Sequence, residues 1–502
     1  MLNIPASTKV LVLGGGPAGS TAASFLARAG VEVTLIEREM FPRYHIGESL
    51  LPSCLEIADL VGARQKIEAK GFVKKPGAYL EWGREKWSLD FGELQGQHTY
   101  SFQVDRSEFD ELLLRHSEEQ GVRVFEGVEV KSIENNAEGR PVKAVWAVHG
   151  DESQTGEISF DYLIDASGRH GVMSTRYLHN RQFHKVFQNI AVWGYWEGTQ
   201  KGADYRDGAI AVGSIPDGWI WAIPMSGGKT SVGVVVHKDS FQAQKREADT
   251  AKIYEDAIAS CPLIQRVCSG AKLVTGLKTE SDYSYAAESF CGPGYFLCGD
   301  AACFLDPLLS TGVHLAMLSA MLSAAAITSV VSGEVSEQEA QSFFEKSYRQ
   351  AYLRFLVFVS VFYDQRCGKD NYFKEAERLS QYESDPSRLK QAFLNLVSGL
   401  EDLSSAEQAT NHLIGEMSRR VAENLTLRKD KSTLASGSEE IKGRAQDNAR
   451  FFDGVEGIPV MSPEGAIDGL YVVLKPRFGL GRFVATVEAS SIVDIKKEEV
   501  RL

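Results

Sequence analysis

The sequence predicts an α/β protein: a Rossmann-like dinucleotide-binding domain, an inserted β-sheet and a mostly helical C-terminal region. Three observations predict this fold. A short apolar strand, a glycine-rich turn, a helix and a second strand follow one another within residues 8–37. Residues 185–285 are rich in Trp, Tyr, Val and Gly and contain many turn signals. From residue 337 onward, apolar positions recur at helical spacing.

The N-terminal segment has the order and length of a βαβ unit. Residues 8–13 form an apolar strand, residues 20–29 are rich in helix-forming residues, and residues 31–36 form the next strand. Two later apolar runs, residues 160–164 and 295–297, are predicted to be further strands that end in turns. Strands separated by helices in this way favour a parallel sheet.

The turn after the first strand has the spacing G-x-G-x-x-G. Its first glycine permits a tight turn, its second lets the backbone approach a pyrophosphate, and its third allows close helix–strand packing. Glu37 ends the second strand, where a carboxylate can bind ribose hydroxyls. The turn residues predicted to contact a dinucleotide are Gly14, Gly15, Gly16, Ala18 and Gly19.

Composition narrows the functional class. The net charge of −13 disfavours nucleic acid as a partner, because phosphate binding needs a positive surface. Seven scattered cysteines without a C-x-x-C pair, and no recognisable signal peptide, predict a reduced cytoplasmic protein. The apolar stretch 314–331 is interpreted as a buried helix rather than a membrane span. We predict no metal centre and no membrane contact.

Domain boundaries follow from these patterns. We expect a discontinuous dinucleotide-binding domain at 1–180 and 286–335, an inserted β-sheet domain that contacts the substrate at 181–285, and a helical region at 336–502. Within that last region, residues 385–398 are predicted to be helical. Its polar segment 429–448 is predicted to be loop or frayed helix.

Four short segments carry a family resemblance: GGGPAGS at 14–20, GFVKKPGA at 71–78, GWIWAIP at 218–224 and DPLLSTGV at 306–313. Together they resemble flavin-dependent halogenases, especially those that chlorinate phenolic rings in natural-product biosynthesis. The resemblance covers roughly residues 8–400 and is weakest in the last hundred residues. It implies that the dinucleotide is FAD, held in a fold similar to that of flavoprotein hydroxylases.

Several short motifs support FAD. CGDAA at 298–302 is similar to the second flavin fingerprint, whose aspartate contacts the ribityl chain, and DASG at 165–168 resembles another flavoprotein turn. Gln103 matches a position that usually touches the flavin. Beyond the glycine turn and Glu37, the resemblance implies FAD contacts at Arg43, Glu48, Ser49, Arg106, Asp300 and Val313.

Trp219 and Trp221 are two residues apart, so on an extended strand both indoles face the same side. In the family such a pair shields the flavin from the organic substrate, which disfavours direct oxygen transfer. The alternative is an ordinary pair of core tryptophans.

Lys75 lies three residues after Phe72, as the catalytic lysine does in the family motif, and Lys74 should point the other way on a strand. The resemblance implies that Lys75 either hydrogen-bonds hypohalous acid or is itself halogenated to a haloamine; the sequence leaves both routes open. The alternative is that both lysines are solvated loop residues.

The DPLLSTGV segment would supply the halide site. The resemblance implies that the backbone amides of Thr311 and Gly312 hold chloride or bromide, and consecutive amides at a helix start suit an anion. The alternative is a simple helix start. Tryptophan halogenases carry a glutamate where this chain has Leu309, so we expect a phenolic or pyrrolic substrate rather than free tryptophan.

The leading hypothesis is therefore an aromatic halogenase that uses FADH2 from a separate flavin reductase, O2 and a halide. Its substrate would be a phenolic small molecule or a carrier-protein-bound aromatic ring. The competing hypotheses are an aromatic hydroxylase or a flavin reductase of the same fold, and a non-catalytic flavin-binding protein.

One helical stripe has two interpretations. Its aromatic residues either form a core against the flavin domain or a lid over the substrate mouth. They are Phe343, Phe344, Tyr348, Tyr352, Phe355 and Phe358.

Overall fold

The computed structural model describes residues 3–93, 99–202, 204–363, 461, 466–475 and 477–483. Its helices are α1 (Pro17–Arg28), α2 (Pro52–Val61), α3 (Arg64–Ala69), α4 (Arg106–Glu119), α5 (Lys238–Gln244), α6 (Thr250–Ser260), α7 (Pro262–Val267), α8 (Gly312–Val331) and α9 (Glu337–Tyr363).

The strands in the first part of the described chain are β1 (Ser7–Leu13), β2 (Val33–Glu37), β3 (Val73–Lys75), β4 (Gly77–Trp82), β5 (Glu85–Asp90), β6 (Ser101–Gln103), β7 (Arg123–Glu126), β8 (Val128–Asn135), β9 (Pro141–Val148) and β10 (Asp151–Asp165). Those that follow are β11 (Arg181–Glu197), β12 (Ile210–Ile215), β13 (Gly218–Pro224), β14 (Lys229–His237), β15 (Lys272–Leu273), β16 (Lys278–Ala287), β17 (Cys291–Gly292), β18 (Tyr295–Leu297), β19 (Cys303–Phe304), β20 (Leu470–Val473) and β21 (Gly479–Arg482).

The first sheet is the predicted dinucleotide-binding sheet. Its strands lie in the order β17-β18-β10-β1-β2-β7, and β18, β10, β1, β2 and β7 run parallel. Strands β8 and β9 form an antiparallel extension that begins at β10. Helix α1 packs against α8 over this sheet. The Rossmann-like α/β fold class is therefore confirmed, and the predicted strands at 8–13, 160–164 and 295–297 are all present.

Two of the turn glycines are required by backbone contacts. Gly14 has a φ of +99°, and a Cβ there would lie 2.3 Å from the carbonyl oxygen of Ala166. A Cβ on Gly19 would lie 1.9 Å from the carbonyl oxygen of Gly14. Both distances are shorter than any van der Waals contact, so the close approach of α1 to β1 and β10 depends on these residues being glycine.

The second sheet is larger than the sequence indicated. Its strands lie in the order β19-β16-β11-β14-β13-β12-β4-β5, with β15 paired to β11. The sheet also includes three strands from outside residues 181–285, namely β4, β5 and β19. Strand β4 joins it by parallel pairing with β12, and β19 joins it by pairing with β16. That segment also contains helices α5, α6 and α7, which its β-rich composition did not reveal.

Helix α8 is a core helix, as predicted for 314–331. It is long and apolar enough to span a membrane, but 94% of its most apolar stretch is buried inside the protein. The hairpin of β20 and β21 packs on it. That hairpin was not anticipated in a C-terminal region predicted to be mostly helical. The predictions for 385–398 and 429–448 lie outside the described residues.

The aromatic stripe of α9 is core. Phe344 packs edge-on against Phe296 of β18 at a ring separation of 5.0 Å, and Tyr348 packs against Phe290. This packing contradicts the lid interpretation for the residues whose side chains are described. The five that are at most 1% exposed are Phe343, Phe344, Tyr348, Tyr352 and Phe355. The side chain of Phe358 lies outside the described set.

Gly233 makes room for one of the two adjacent tryptophans. It pairs with Trp221 across β13 and β14, and a Cβ on Gly233 would lie 2.0 Å from the indole ring. We expect Gly233→Ala to lower the free energy of unfolding by about 1–3 kcal/mol, because overpacking displaces the ring. Urea denaturation measures the change. Gly276→Ala is the matched control, since a Cβ there meets nothing within 4 Å. Equal stabilities of the two variants would contradict the prediction.

Candidate active site

A cleft of about 440 Å³ lies between the two sheets. On one side it is lined by the glycine turn and by the loop that joins β2 to α2; on the other it is lined by β13 and the start of α8. The predicted site residues that line it are Gly14, Gly16, Ala18, Glu37, Arg43, Glu48, Ser49, Arg106, Trp219, Trp221, Asp300, Gly312 and Val313. Those that lie outside its lining are Gly15, Gly19, Lys75 and Thr311.

The glycine-turn end of the cleft fits a pyrophosphate. Gly16 precedes the first turn of α1, and a Cβ there would meet only a guanidinium nitrogen of Arg43, at 3.3 Å. The space is therefore open toward the cleft, next to a helix N-terminus and a cation, and both favour an anion. Glu37 is fixed nearby because its carboxylate accepts hydrogen bonds from the amides of Gly15 at 2.6 Å and Glu39 at 2.7 Å.

Asp110 is a site residue that the sequence reasoning missed. Its fully buried carboxylate accepts hydrogen bonds from Arg106 at 2.7 and 2.9 Å and pairs with Arg43 at 3.2 Å. Burial alone would raise its pKa, but the two guanidinium groups hold the pKa of Asp110 below its usual value. Arg106 also donates to the carbonyl oxygens of Ile46 and Gly47. The spacing Arg106-x-x-x-Asp110 on a helix was the available signal.

The two flavoprotein turns take different roles. Asp300 lines the cleft, with its carboxylate 3.9 Å from Arg169. Asp165 is fully buried and accepts hydrogen bonds from Met173 and Ser167, so it shapes the backbone beside the cleft. Gln103 is also buried; it donates to the carbonyl oxygen of Gly208 at 3.2 Å and does not line the cleft.

The two tryptophans of β13 form a wall of the cleft. Trp219 and Trp221 lie side by side at a ring separation of 5.6 Å, and both are nearly buried. The Trp219 indole N–H donates to the hydroxyl of Tyr363 at 2.9 Å, and that hydroxyl donates to Asp306 at 2.7 Å. Asn189 also donates to Asp306 at 2.7 Å. Side chains of β11 and α9 therefore tie the wall to the DPLLSTGV turn.

That turn presents backbone groups at the start of α8. Ser310 adopts a left-handed conformation with a φ of +58°, and Gly312 begins the helix and lines the cleft. Thr311 is fully buried, and its hydroxyl has no hydrogen-bond partner among the described residues. Leu309 is also buried, at 9% exposure, so this turn carries an apolar side chain where the tryptophan halogenases have a carboxylate.

Lys75 and Lys74 point to opposite sides of β3, as predicted. Lys75 is 2% exposed, and its ammonium group donates to the carbonyl oxygen of Leu50 at 2.9 Å. It lies 5.5 Å from the ring centre of Phe91. Burial lowers the pKa of Lys75 to about 7. Lys74 is exposed and lies over the ring of Tyr100. Leu50 follows Ser49, which lines the cleft, so Lys75 contacts the loop that borders it.

The glycine turn and Arg43 would hold the pyrophosphate of a dinucleotide, and the tryptophan wall and the start of α8 line the other part of the cleft. Lys75 lies outside this lining.

Comparison with known proteins agrees with this geometry. A sequence model of the tryptophan halogenase family matches residues 9–99 and 90–407. The chain is 42% identical to a tryptophan 2-halogenase of Chondromyces crocatus, over 98% of this chain and 97% of that protein. It is 41% identical to the flavin-dependent halogenase gsfI of Penicillium aethiopicum, over 71% of each. The alignment with the Chondromyces protein includes the last hundred residues, where the sequence motifs had shown the weakest resemblance.

Among solved structures, the myxobacterial chondrochloren halogenase CndH, described as a variant of FAD-dependent halogenases, is 36% identical with a TM-score of 0.68. That similarity covers 83% of this chain and 97% of CndH. The family model, the two relatives and the solved structure all indicate the same family. The chain belongs to the flavin-dependent halogenases of the tryptophan halogenase family and is an FAD-dependent enzyme.

Proposed function

We propose that this enzyme halogenates an electron-rich phenolic ring and that Lys75 delivers the oxidised halogen. The observation that carries the proposal is the environment of Lys75. It is buried, its pKa is about 7, and it lies outside the cleft lining while contacting the loop that borders the cleft. A lysine in such surroundings can act as a hydrogen-bond donor or, when neutral, as a nucleophile.

In this proposal the two steps of the reaction take place at different parts of the site: hypohalous acid forms in the cleft, and Lys75 passes the halogen to the ring. When bound, reduced FAD supplies the electrons with which O2 and a halide ion form hypohalous acid. The backbone amides of Thr311 and Gly312, at the N-terminus of α8, would hold the halide. Trp219 and Trp221 would keep the aromatic substrate away from the cleft. Lys75 would then bind hypohalous acid or form a haloamine, and both routes are compatible with its burial.

Leu309 supports a phenolic substrate. A carboxylate at this position could accept the proton released when a halogen replaces ring hydrogen, and a buried leucine cannot. A phenol needs less assistance because its oxygen donates electron density into the ring. The similarity to a tryptophan 2-halogenase favours an indole instead, and that is the competing substrate class. We propose a phenol that is either free or bound to a carrier protein, used in natural-product biosynthesis.

The remaining partners follow from the family. Flavin-dependent halogenases generally depend on a separate flavin reductase, and we propose that one supplies FADH2 to this enzyme in the cytoplasm. Chloride and bromide both fit a site made of backbone amides, since such a site recognises charge rather than a particular halide.

One assay tests the function. The purified enzyme is incubated with FAD, NADH, a flavin reductase, O2 and chloride or bromide, and product masses are measured for free phenols, carrier-bound tyrosine and tryptophan. We expect a halogen mass shift on a phenol, and turnover only when the reductase is present. A halogenated indole would overturn the substrate class. An oxygen gain, or substrate-stimulated NADPH oxidation without the reductase, would favour an aromatic hydroxylase.

Replacing Lys75 tests its role. We expect Lys75→Ala to lower halogenation at least about 100-fold, the scale of a lost proton-transfer or nucleophilic group, while FAD content and flavin reoxidation are retained. Product formation and flavin absorbance measure the two effects. Lys74→Ala is the matched control, because Lys74 is the exposed neighbour on the same strand. Equal loss in both variants, or none in Lys75→Ala, would contradict the assignment.

The lowered pKa of Lys75 also predicts a pH-dependent stability difference. An unfolded lysine has a pKa of about 10.4, so between pH of about 7 and 10 the unfolded state binds the proton more tightly than the folded state. The free-energy penalty on the folded state therefore has its full size below pH 7 and becomes smaller as the pH rises toward 10. We therefore expect Lys75→Met to gain more stability over wild type at pH of about 6 than at pH of about 9. Urea denaturation at both pH values measures this, and a pH-independent difference would contradict it.

A further inference from the structure

Glu48 is a cleft residue with one satisfied and one unsatisfied carboxylate oxygen. Its side chain is 3% exposed, and Oε1 accepts a 2.5 Å hydrogen bond from the hydroxyl of Tyr195. Oε2 makes no hydrogen bond of normal length in the described part of the chain, and the Ser231 hydroxyl is a nearby donor that stabilises the carboxylate more weakly. Leaving a buried carboxylate oxygen unpaired costs free energy, so such an atom indicates a group that it meets when the cleft is filled.

A hydrogen-bond chain connects Glu48 to solvent. The hydroxyl of Tyr44 lies 3.1 Å from that of Tyr195. Because Tyr195 donates its proton to Glu48, its oxygen accepts from Tyr44. The indole N–H of Trp193 donates to the oxygen of Tyr44 at 2.8 Å and fixes its position. Tyr44 is 48% exposed, so two hydroxyl groups join bulk water to a carboxyl group in the cleft wall.

The proposed reaction needs a proton at this place. Reduced FAD, O2, one halide ion and one proton give oxidised FAD, one hypohalous acid and one water. O2 takes up four electrons, two from the flavin and two from the halide, which is oxidised from −1 to +1. Glu48 lines the cleft, so a proton on its carboxyl group would be available where the reaction takes place. This requirement rests on the proposed function.

We propose that Glu48 donates this proton inside the cleft and that Tyr195 and Tyr44 reload it from solvent. The proton leaves Oε2 while another arrives on Oε1 from Tyr195. Tyr195 takes a proton from Tyr44, and Tyr44 takes one from water. Only O–H bonds break and form, and no net charge stays buried after the transfer. The new proton lies on Oε1, so the carboxyl group and the two hydroxyl groups rotate back before the next proton leaves from Oε2.

The electrostatics of the site agree with this role. Burial raises the pKa of Glu48 to about 7, and the negative charge of Asp105 acts in the same direction. Hydrogen bonds from Tyr195 and Ser231 and the positive charge of Arg106 act in the opposite direction and lower it. A carboxyl group with this pKa holds its proton in an appreciable fraction of molecules at neutral pH and can still release it, which is what a general acid requires.

An infrared titration of the flavin-free enzyme tests the proton-holding step without activity. We expect wild type to lose a protonated-carboxyl band at a pH near 7 that is absent from Glu48→Gln. Subtracting the spectra of that variant isolates Glu48 from other buried carboxyl groups such as Glu56. In Tyr195→Phe the midpoint should move to higher pH, because a hydrogen bond that stabilises the carboxylate is lost. Identical titrations in wild type and Glu48→Gln would overturn the proposal.

Steady-state assays with reductase and halide test the relay. We expect Tyr195→Phe and Tyr44→Phe to lower halogenation about tenfold or more, with unchanged FAD affinity. Tyr44→Phe should keep the wild-type infrared midpoint because the Glu48–Tyr195 bond is intact. Tyr79→Phe is the matched control, since its hydroxyl lies by Glu81 on another part of the second sheet. If Tyr195→Phe and Tyr44→Phe both keep the wild-type rate and pH profile of halogenation, the proposed relay is overturned. Absence of halogenation by wild type would instead overturn the proposed function, and the infrared result would still decide the state of Glu48.

Discussion

The buried carboxylate of Asp110 is the interaction on which both ends of the site depend. It holds Arg106 through two hydrogen bonds and pairs with Arg43 in the cleft. Arg106 in turn binds the carbonyl oxygens of the loop that carries Glu48, and this loop continues to Leu50, whose carbonyl receives the ammonium group of Lys75. Removing the carboxylate would leave the buried guanidinium group of Arg106 without its hydrogen-bonded counter-charge, which costs more than losing the pair as a whole. One ion cluster therefore positions both Arg43 in the cleft and the loop that Lys75 contacts.

The tryptophan wall is rigid for a different reason. The Trp219 indole N–H is bonded to Tyr363, which with Asn189 converges on Asp306 at the start of the DPLLSTGV turn. This network joins the wall, the turn and the last described residue of α9 through buried polar groups. A fully satisfied buried network fixes one arrangement of its members, because any other leaves a polar group unpaired. The wall and the start of α8 therefore keep a constant position relative to each other.

Sequence reasoning succeeded where the cause is local. The strand–turn–helix unit, the buried α8 and the opposite orientations of Lys74 and Lys75 all follow from periodicity over a few residues. It failed where the cause is pairing between distant segments. The parallel pairing of β4 with β12 joins residues more than a hundred positions apart, and Asn189 bonds to Tyr363 over 174 positions. Nothing near either position marks the partner. The roles of the site residues came from the resemblance to halogenases, because no local pattern distinguishes a catalytic lysine from a structural one.

Burial shifts the pKa values of the two ionisable groups of the proposed chemistry in opposite directions. An ion pair would raise the pKa of a lysine and lower that of a glutamate. The pKa of Lys75 is lowered and that of Glu48 is raised, each to about 7, with burial as the main cause. Lys75 has no carboxylate partner among the described residues, and with a pKa of about 7 part of the lysine population is neutral at physiological pH. A neutral amine attacks hypohalous acid readily, whereas an ammonium ion can only donate a hydrogen bond to it, so the proposed haloamine route would depend on the neutral fraction of Lys75.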